Sequence, residues 1–433
     1  MSIRSCGLLL AAMTVPAAAQ TPWQPVWSTT WAAAGAESTY ASVLRRADDG
    51  ALFVGIEPGR AGAQHAGVLR VEADGTIGWA HERPGPGSAD DVLPMADGRI
   101  ALTGGFSAPF VRAIDADSGD PSWDAAASGA TLMVLRSFST NQIAQAPGGD
   151  LLVRAHDADA FVVLRVAASG QPLPPWRWNS GLGEVWANSI VALADGGAIV
   201  TGRTFGHTGG FRTVRFAADG SVVYADVELG THGSPLGMSW VAAAPDGGAW
   251  VVASPETQFG MPGAMAWRIA ADGARLWTRE LSDQSNGATT FSNGPVAQGP
   301  GGDLWIATAS TSPKTLGLIR VDGATGATRW NSRSALPSYA DSLAVAPNGR
   351  SLLGGSAHVP GGGGRTYAIL AEFDADGVLC REHTVEDLYG FLSAVGAEEG
   401  WTVLGIGDAG LTVQRYDADG ACGDALFADG FDG

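Results

Sequence analysis

The chain has 433 residues and carries 26 Lys and Arg against 44 Asp and Glu, a net charge of −18. That balance argues against nucleic acid or an anionic membrane surface as partner, because both demand a basic footprint. With 62 Gly, 15 Trp and only 16% charged residues, the composition excludes a disordered or coiled chain and reads as compact, turn-rich and all-β.

The chain opens with Met1-Ser-Ile-Arg4, an apolar run from Gly7 to Val15, and Ala17-Ala-Ala19. A positive start, a short apolar segment and an A-x-A site are the parts of a secretory signal peptide, so residues 1–19 are expected to be removed after Ala19. The apolar run is too short to cross a bilayer, and nothing later approaches the ~18 apolar residues a span needs. Cys6 lies before the apolar core, so neither a lipid anchor nor membrane insertion is expected. The mature chain, periplasmic or secreted, loses Arg4 and keeps 25 basic against 44 acidic residues.

Two turn signals then alternate to the end of the chain. One follows a strand of small residues: Asp49-Gly50, Asp97-Gly98, Gly148-Gly149, Asp195-Gly196, Asp246-Gly247, Gly301-Gly302, Asn348-Gly349 and Glu399-Gly400, spaced by 47 to 55 residues. The other follows an apolar strand: Asp74-Gly75, Ser118-Gly119, Ser169-Gly170, Asp219-Gly220, Asp272-Gly273, Thr325-Gly326, Asp376-Gly377 and Asp419-Gly420. Asp-Gly and Asn-Gly pairs between short β-type runs mark hairpins, because the turn needs positive φ. Each repeat of about 50 residues therefore holds two hairpins, and eight repeats of four strands predict an eight-bladed β-propeller.

The first strand of each repeat is small, as in Ser189–Ala194, which suits the innermost position where blades converge. The fourth carries an aromatic four residues past the turn glycine at Trp79, Trp123, Tyr224, Trp277 and Trp330. The eighth repeat lacks a fourth strand, and Pro25-Val-Trp27-Ser-Thr-Thr at the other end has that strand's pattern. The N-terminal strand, around Val26–Thr29, is expected to complete the last blade and close the ring without a free radial edge. This gives one propeller over residues 20–423, a short acidic tail over 424–433, and an expected monomer.

Asp322-Gly-Ala-Thr-Gly-Ala-Thr-Arg-Trp330 and Asp115-Ala-Asp-Ser-Gly-Asp-Pro-Ser-Trp123 resemble the A-x-D-x-x-T-G-x-x-x-W repeat of quinoprotein-like (PQQ-like) propellers. Val68-Leu-Arg-Val-Glu-Ala-Asp-Gly75 is also similar to the delta-60 repeats of secreted bacterial proteins. The resemblance implies blades over nearly the whole mature chain. The quinoprotein dehydrogenases among these carry a vicinal Cys-Cys pair, absent from this sequence, so no cofactor is expected. The tail Asp424–Asp432 resembles the brief D-G-F tails of some secreted bacterial proteins.

Cys380 and Cys422 follow equivalent turns in neighbouring repeats and are the two cysteines of the mature chain. An even count in an exported protein points to a disulfide pinning the last repeat to the one before. Arg70, Arg165, Arg215, Arg268 and Arg415 lie five residues before the second turn glycine; Arg112 and Arg320 fill the slot in two more repeats and Glu372 in the seventh. A cation repeated in every blade reads as padding between blades. The Asp-x-Asp-Gly turns lack the remaining ligands of an EF-hand loop. His65, His156, His207, His232 and His358 fall in connecting segments with no metal-site spacing, so no metal is expected. No G-x-S-x-G, H-E-x-x-H, P-loop or dinucleotide fingerprint occurs, and no catalytic residue is assigned.

The turns within hairpins are uniformly short, whereas Gly230–Ser239, Pro255–Gly263, Leu281–Gly294 and Val359–Arg365 are long and variable. Propeller connectivity brings the long set to one face, where a rigid scaffold presents variable loops. Just before the inner strands lie Asp90, Asn141, Asn188, Ser239 and Asp341, a ring of acids and amides at the channel mouth suited to a cation, a sugar or a peptide. The reading is a non-enzymatic binding or scaffold propeller for a protein or carbohydrate ligand. The alternative is an enzyme, either a quinoprotein-type oxidoreductase or a glycan-cleaving propeller.

Overall fold

The computed structural model describes residues 23–418 apart from 61, 106–108, 127–140, 182, 205–209, 230–238, 254–263, 282–289, 292–294, 311–314, 335–338, 359–365 and 386. Eight antiparallel sheets follow one another round a ring, each four strands deep from the axis outward and all but the last in chain order. The first adds the short strand Ala63–Gln64, and the sixth splits its inner position into Thr290–Phe291 and Val296–Gln298. The fold is an eight-bladed β-propeller. The fourth blade is typical: Val185–Ala192 is innermost, followed by Ala198–Thr204, Gly210–Phe216 and Val222–Leu229. The only helical turn among the described residues is Pro300–Gly302.

The eighth blade takes Gly390–Ala397, Gly400–Gly407 and Gly410–Asp417 from the C-terminal end and its outermost strand, Trp27–Trp31, from the N-terminal end. Trp27 pairs with Arg415 and Trp31 with Leu411, in unbroken register. The closure expected from the sequence is present.

Most short turns are built as the glycine pairs imply; the eighth blade's first hairpin turns at Glu398–Glu399 instead, with Gly400 already paired to Ala397 in the strand. Ala47 accepts from the Gly50 N–H and donates to the Ala51 carbonyl. This is a type I turn followed by a left-handed residue, and Gly50 has φ +88°. The Asp side chain caps the loop: Asp49 Oδ1 accepts from the Ala51 N–H at 3.0 Å, as Asp74 Oδ1 does from Thr76 at 2.9 Å.

Eight apolar clusters fill the eight gaps between neighbouring blades. At the edge of these clusters, the fourth-strand aromatic of one blade lies under the second-hairpin glycine of the next. The pairs are Trp27–Gly75, Trp79–Gly119, Trp123–Gly170, Trp176–Gly220, Tyr224–Gly273, Trp277–Gly326 and Trp330–Gly377. A Cβ on Gly326 would lie 2.7 Å from the Trp277 ring, and its φ of +72° is itself costly for other residues. Trp277 Nε1 also donates to Gly323 O at 3.2 Å, and Trp79, Trp330 and Trp27 make the same bond to Ala116, Ala375 and Ala73. Arg70, Arg215 and Arg320 donate to the Ala116, Ala271 and Ala375 carbonyls of the following blade. These arginines join blades.

Arg112 departs from the pattern. Ala113, six residues before Gly119 as Arg320 is before Gly326, stands opposite Trp123, and Arg112 falls one position earlier. Arg112 faces back to the first blade, 2.8 Å from His81 Nε2 and from Asp124 Oδ2. Its charge, second to burial, holds the His81 imidazole below its ordinary range.

The seventh-to-eighth interface is built differently. Arg381 stands four residues past Gly377, where other blades carry an aromatic, and its guanidinium lies 3.7 Å from the Trp23 ring. Trp23 is buried and its ring centroid lies 4.8 Å from that of Tyr416. The segment before the closing strand supplies the missing aromatic. Glu372, fully buried in the slot held elsewhere by arginine, pairs with Arg350 and Arg381 and accepts from Trp401 Nε1 at 2.8 Å.

Candidate functional site

Alternating strand direction sends the two kinds of connection to opposite ends of each blade. The Asp-Gly turns occupy one face. The second-to-third strand loops and the links between blades occupy the other. Most of the long loops singled out from the sequence, with His207 and His232, lie outside the described residues.

Asp90 and Asn141 lie just before their inner strands and Ser239 opens one, whereas Asn188 and Asp341 lie inside theirs on β-bulges, which re-aim side chains. Asn188 is the extra residue between the Ala187–Gly202 and Ser189–Thr201 pairs, and Asp341 that between Ala340–Gly355 and Ser342–Gly354. Asn188 Oδ1 accepts from Ser239 Oγ of the next blade at 3.2 Å, and the two residues are 2% and 1% exposed. The Asp90 carbonyl accepts from Gln142 Nε2, while neighbouring Asp91 bridges Arg45 of the first blade to the Gln142 N–H of the third. The Asn141 carbonyl accepts from the Ile190 N–H of the fourth blade at 3.1 Å. Asp341 is half-buried and accepts from Ser356 within its own blade at 2.8 Å; burial pushes its carboxyl up. Fully buried Arg154 donates to Ala187 O across the third and fourth blades, its guanidinium pulled down by burial against the opposing charges of Asp90 and Asp91. His156, expected in a loop, lies near the end of the strand Leu151–Asp157, where burial pushes it down to about 4. Asp90, Asn141, Asn188 and Ser239 thus tie blade to blade, and Asp90, Asn188 and Ser239 show little surface.

A cavity of about 740 Å³ lies between the seventh and eighth blades. It sits at the long-loop end, because its lining includes Gly407, Asp408 and Ala409, between the second and third strands of the eighth blade, and Asp387 and Tyr389, in the link between the two blades. Thr412 and Gln414 form its buried part; Ser28, Thr30, Thr384, Asp387 and Asp408 form an exposed rim, with Tyr367 and Tyr389 half-buried.

The local sequence explains the gap. On the third strand, the residue before the arginine slot faces the preceding blade. It is Leu69, Leu164, Val214, Trp267, Ile319 and Ala371 in six blades, Arg112 in the second and Gln414 in the eighth. At Gln414 a polar side chain stands where six other blades carry an apolar one, beside the apolar cluster that fills the rest of this gap. Tyr416 donates to Gln414 Oε1 at 2.9 Å, which turns the amide nitrogen toward Ser28 Oγ at 3.4 Å. Thr30 and Thr412 hydroxyls meet at 3.1 Å. Burial, reinforced by the Asp387 charge, pushes the Tyr416 phenol up, so it remains a donor. The break in the repeat at Gln414 was the sequence signal for this site; a search for motifs and loop lengths passes over it.

Among the described residues no group of three or more His, Cys, Asp or Glu is placed to hold a metal ion. No described helix is long and apolar enough to cross a membrane. No family model and no curated protein matches the chain. Among solved structures it is similar to the Dos1 propeller, at 10% identity over 91% of this chain and 95% of that one, with a TM-score of 0.54. It is also similar to a chain of the mitotic checkpoint complex (12% identity, 96% and 99% covered, TM-score 0.48). A third is a protein of unknown function from Bacteroides caccae (15% identity, 74% and 90% covered, TM-score 0.39). The likeness to the Dos1 propeller agrees with the eight-bladed ring and bears on the fold alone.

Proposed function

We propose that this chain is an exported, non-enzymatic propeller that holds a protein or carbohydrate ligand on its long-loop face. The observation that carries the reading is the cavity between the seventh and eighth blades, a preformed concave site on a rigid ring. The Gly-dependent turns of the other face have little freedom to vary for a ligand. In this reading residues 1–19 direct export, the mature chain is a periplasmic or secreted monomer, and Asp90, Asn141, Asn188, Ser239 and Asp341 brace the channel mouth beneath the ligand face. Two carboxylates, Asp387 and Asp408, line the cavity, which keeps a glycan-cleaving enzyme as the second reading. A quinoprotein-type oxidoreductase has no such support, since the vicinal cysteines are absent.

The experiment is a glycan and peptide array probed with the mature protein. Substituting Asp387 and Asp408 with Ala is expected to weaken the strongest interaction, and substituting Asp219 and Asp272 at the opposite turns to leave it intact. Equal loss from both pairs would place the ligand elsewhere. Release of reducing sugar from a bound glycan would make the protein an enzyme.

Export also implies a Cys380–Cys422 disulfide. Cys380 lies on the outermost strand of the seventh blade, Leu379–Val385; Cys422 lies outside the described residues. The bond closes a loop of about 40 residues, worth roughly 4 kcal/mol in the chain-entropy model. It would reinforce the one interface where Arg381 replaces the aromatic. Thiol titration of the denatured, unreduced mature protein is expected to find no free cysteine, and two would refute the pairing.

A further inference from the structure

Resting on the binding reading above, we infer that the cleft between the seventh and eighth blades is a carbohydrate site for short, uncharged oligosaccharides. Its lining selects that class. Four hydroxyls (Ser28, Thr30, Thr384, Thr412), the Gln414 amide and two carboxylates surround the space, with Tyr367 and Tyr389 as the aromatic surfaces. Hydroxyls both donate and accept, and carboxylates accept from pairs of hydroxyls. A sugar presents the complementary set, with C–H faces that lie against aromatic rings.

Other ligand classes fit poorly. Among the described residues no arginine, lysine or histidine lines the cavity, so phosphates, sulfates and uronic acids would meet the carboxylates of Asp387 and Asp408. Nor, among the described residues, does any aliphatic side chain larger than alanine line it, whereas a protein partner anchors through apolar or aromatic side chains in a desolvated core. The volume of about 740 Å³ falls within the roughly 300–1,000 Å³ of small-molecule sites.

The polar groups are also held before any ligand arrives. Tyr416 fixes the Gln414 carbonyl end, which leaves the amide N–H₂ as donor at the cavity. The Thr30–Thr412 pair ties the N-terminal strand to the third strand of the same blade. Preorganisation of this kind lowers the ordering cost of binding.

The test is saturation-transfer NMR and titration calorimetry on the mature, disulfide-intact protein. The probes are cellotriose, maltotriose, chitotriose and laminaritriose, with trigalacturonate and trilysine as charged controls. At least one neutral trisaccharide is expected to bind and trigalacturonate not to bind. Gln414→Leu restores the apolar character of six other blades, and is expected to weaken that binding by at least about tenfold while holding or raising the melting temperature. Tyr367→Ala is expected to weaken it similarly, and Thr412→Val, which keeps the shape, by a smaller factor. Binding unaffected by Gln414→Leu and Tyr367→Ala, or no neutral sugar bound at all, would overturn the assignment. Binding of trilysine alone would make the cleft an acidic peptide site. An array peptide displaced by Asp387→Ala, with no sugar bound, would overturn the carbohydrate assignment and leave the binding reading standing.

Discussion

Removing residues 20–31 from the mature chain is expected to abolish cooperative folding, whereas removing 424–433 is expected to move the melting temperature by only a few degrees. The deleted segment supplies one of the four strands of the eighth blade, with five residue pairs to the third strand. It also supplies Trp27, whose indole lies under Gly75 and donates to Ala73 O in the first blade, and Thr29, which donates to Gly75 O. Trp23 goes with it, leaving a gap against Tyr416 and Arg381. Loss of one buried Trp alone costs about 3–5 kcal/mol, against a net stability of roughly 5–15 kcal/mol for a domain. The shortened chain would present an unpaired strand edge in an opened ring and is expected to aggregate. Differential scanning calorimetry and size-exclusion chromatography of the two deletions check this. A cooperative transition near the intact temperature in the 20–31 deletion would mean that the ring does not depend on its closing strand.

Glu372→Ala is expected to be the most damaging single substitution in the seventh blade, costing about 3–5 kcal/mol, the range for breaking a buried ion pair by removing one partner. Its carboxylate has no exposed surface and joins Arg350, Arg381 and the Trp401 indole. Without it two guanidiniums stay partly buried, and both also donate to the end of the eighth blade's third strand, Arg350 to Ala418 O and Arg381 to Asp417 O. Glu372→Gln keeps an acceptor for Trp401 and is expected to cost less. Urea denaturation of the two variants measures the difference. Equal stability of Glu372→Ala and the parent would show that the charge pairing contributes nothing net.

The parts of the fold that were legible are those fixed by local chemistry. The glycines show positive φ at Gly50 and Gly75, at 88° and 90°, because a left-handed turn residue is needed wherever the hairpin falls. The closing strand was legible because Pro25-Val-Trp27-Ser-Thr-Thr has the pattern of fourth strands such as Arg275-Leu-Trp277-Thr-Arg-Glu. Features set by register were less so. Allowing for the longer turn Asp115–Gly119 put Arg112 in the arginine slot, yet that turn adds one residue to the count, as in the sixth blade, and the pairing with Trp123 falls on Ala113. Polar residues before the inner strands read as a ring suited to a ligand; the structure places Asn188 and Asp341 on bulges, hydrogen-bonded to Ser239 and Ser356, a placement no motif announces. The cleft was hidden for a related reason. It exists only where faces of two blades and a strand from the far end of the chain meet, and its trace in the sequence is one polar residue, Gln414, in an apolar slot.

The central claim, that the ligand sits between the seventh and eighth blades on the long-loop face, is tested most directly by hydrogen-exchange mass spectrometry of the mature protein with and without its strongest array ligand. Slower exchange is predicted in peptides covering 28–31, 384–389 and 407–414, with the short turns at 217–220 and 270–273 unchanged. Protection at those turns with none at 384–389 or 407–414 would contradict it.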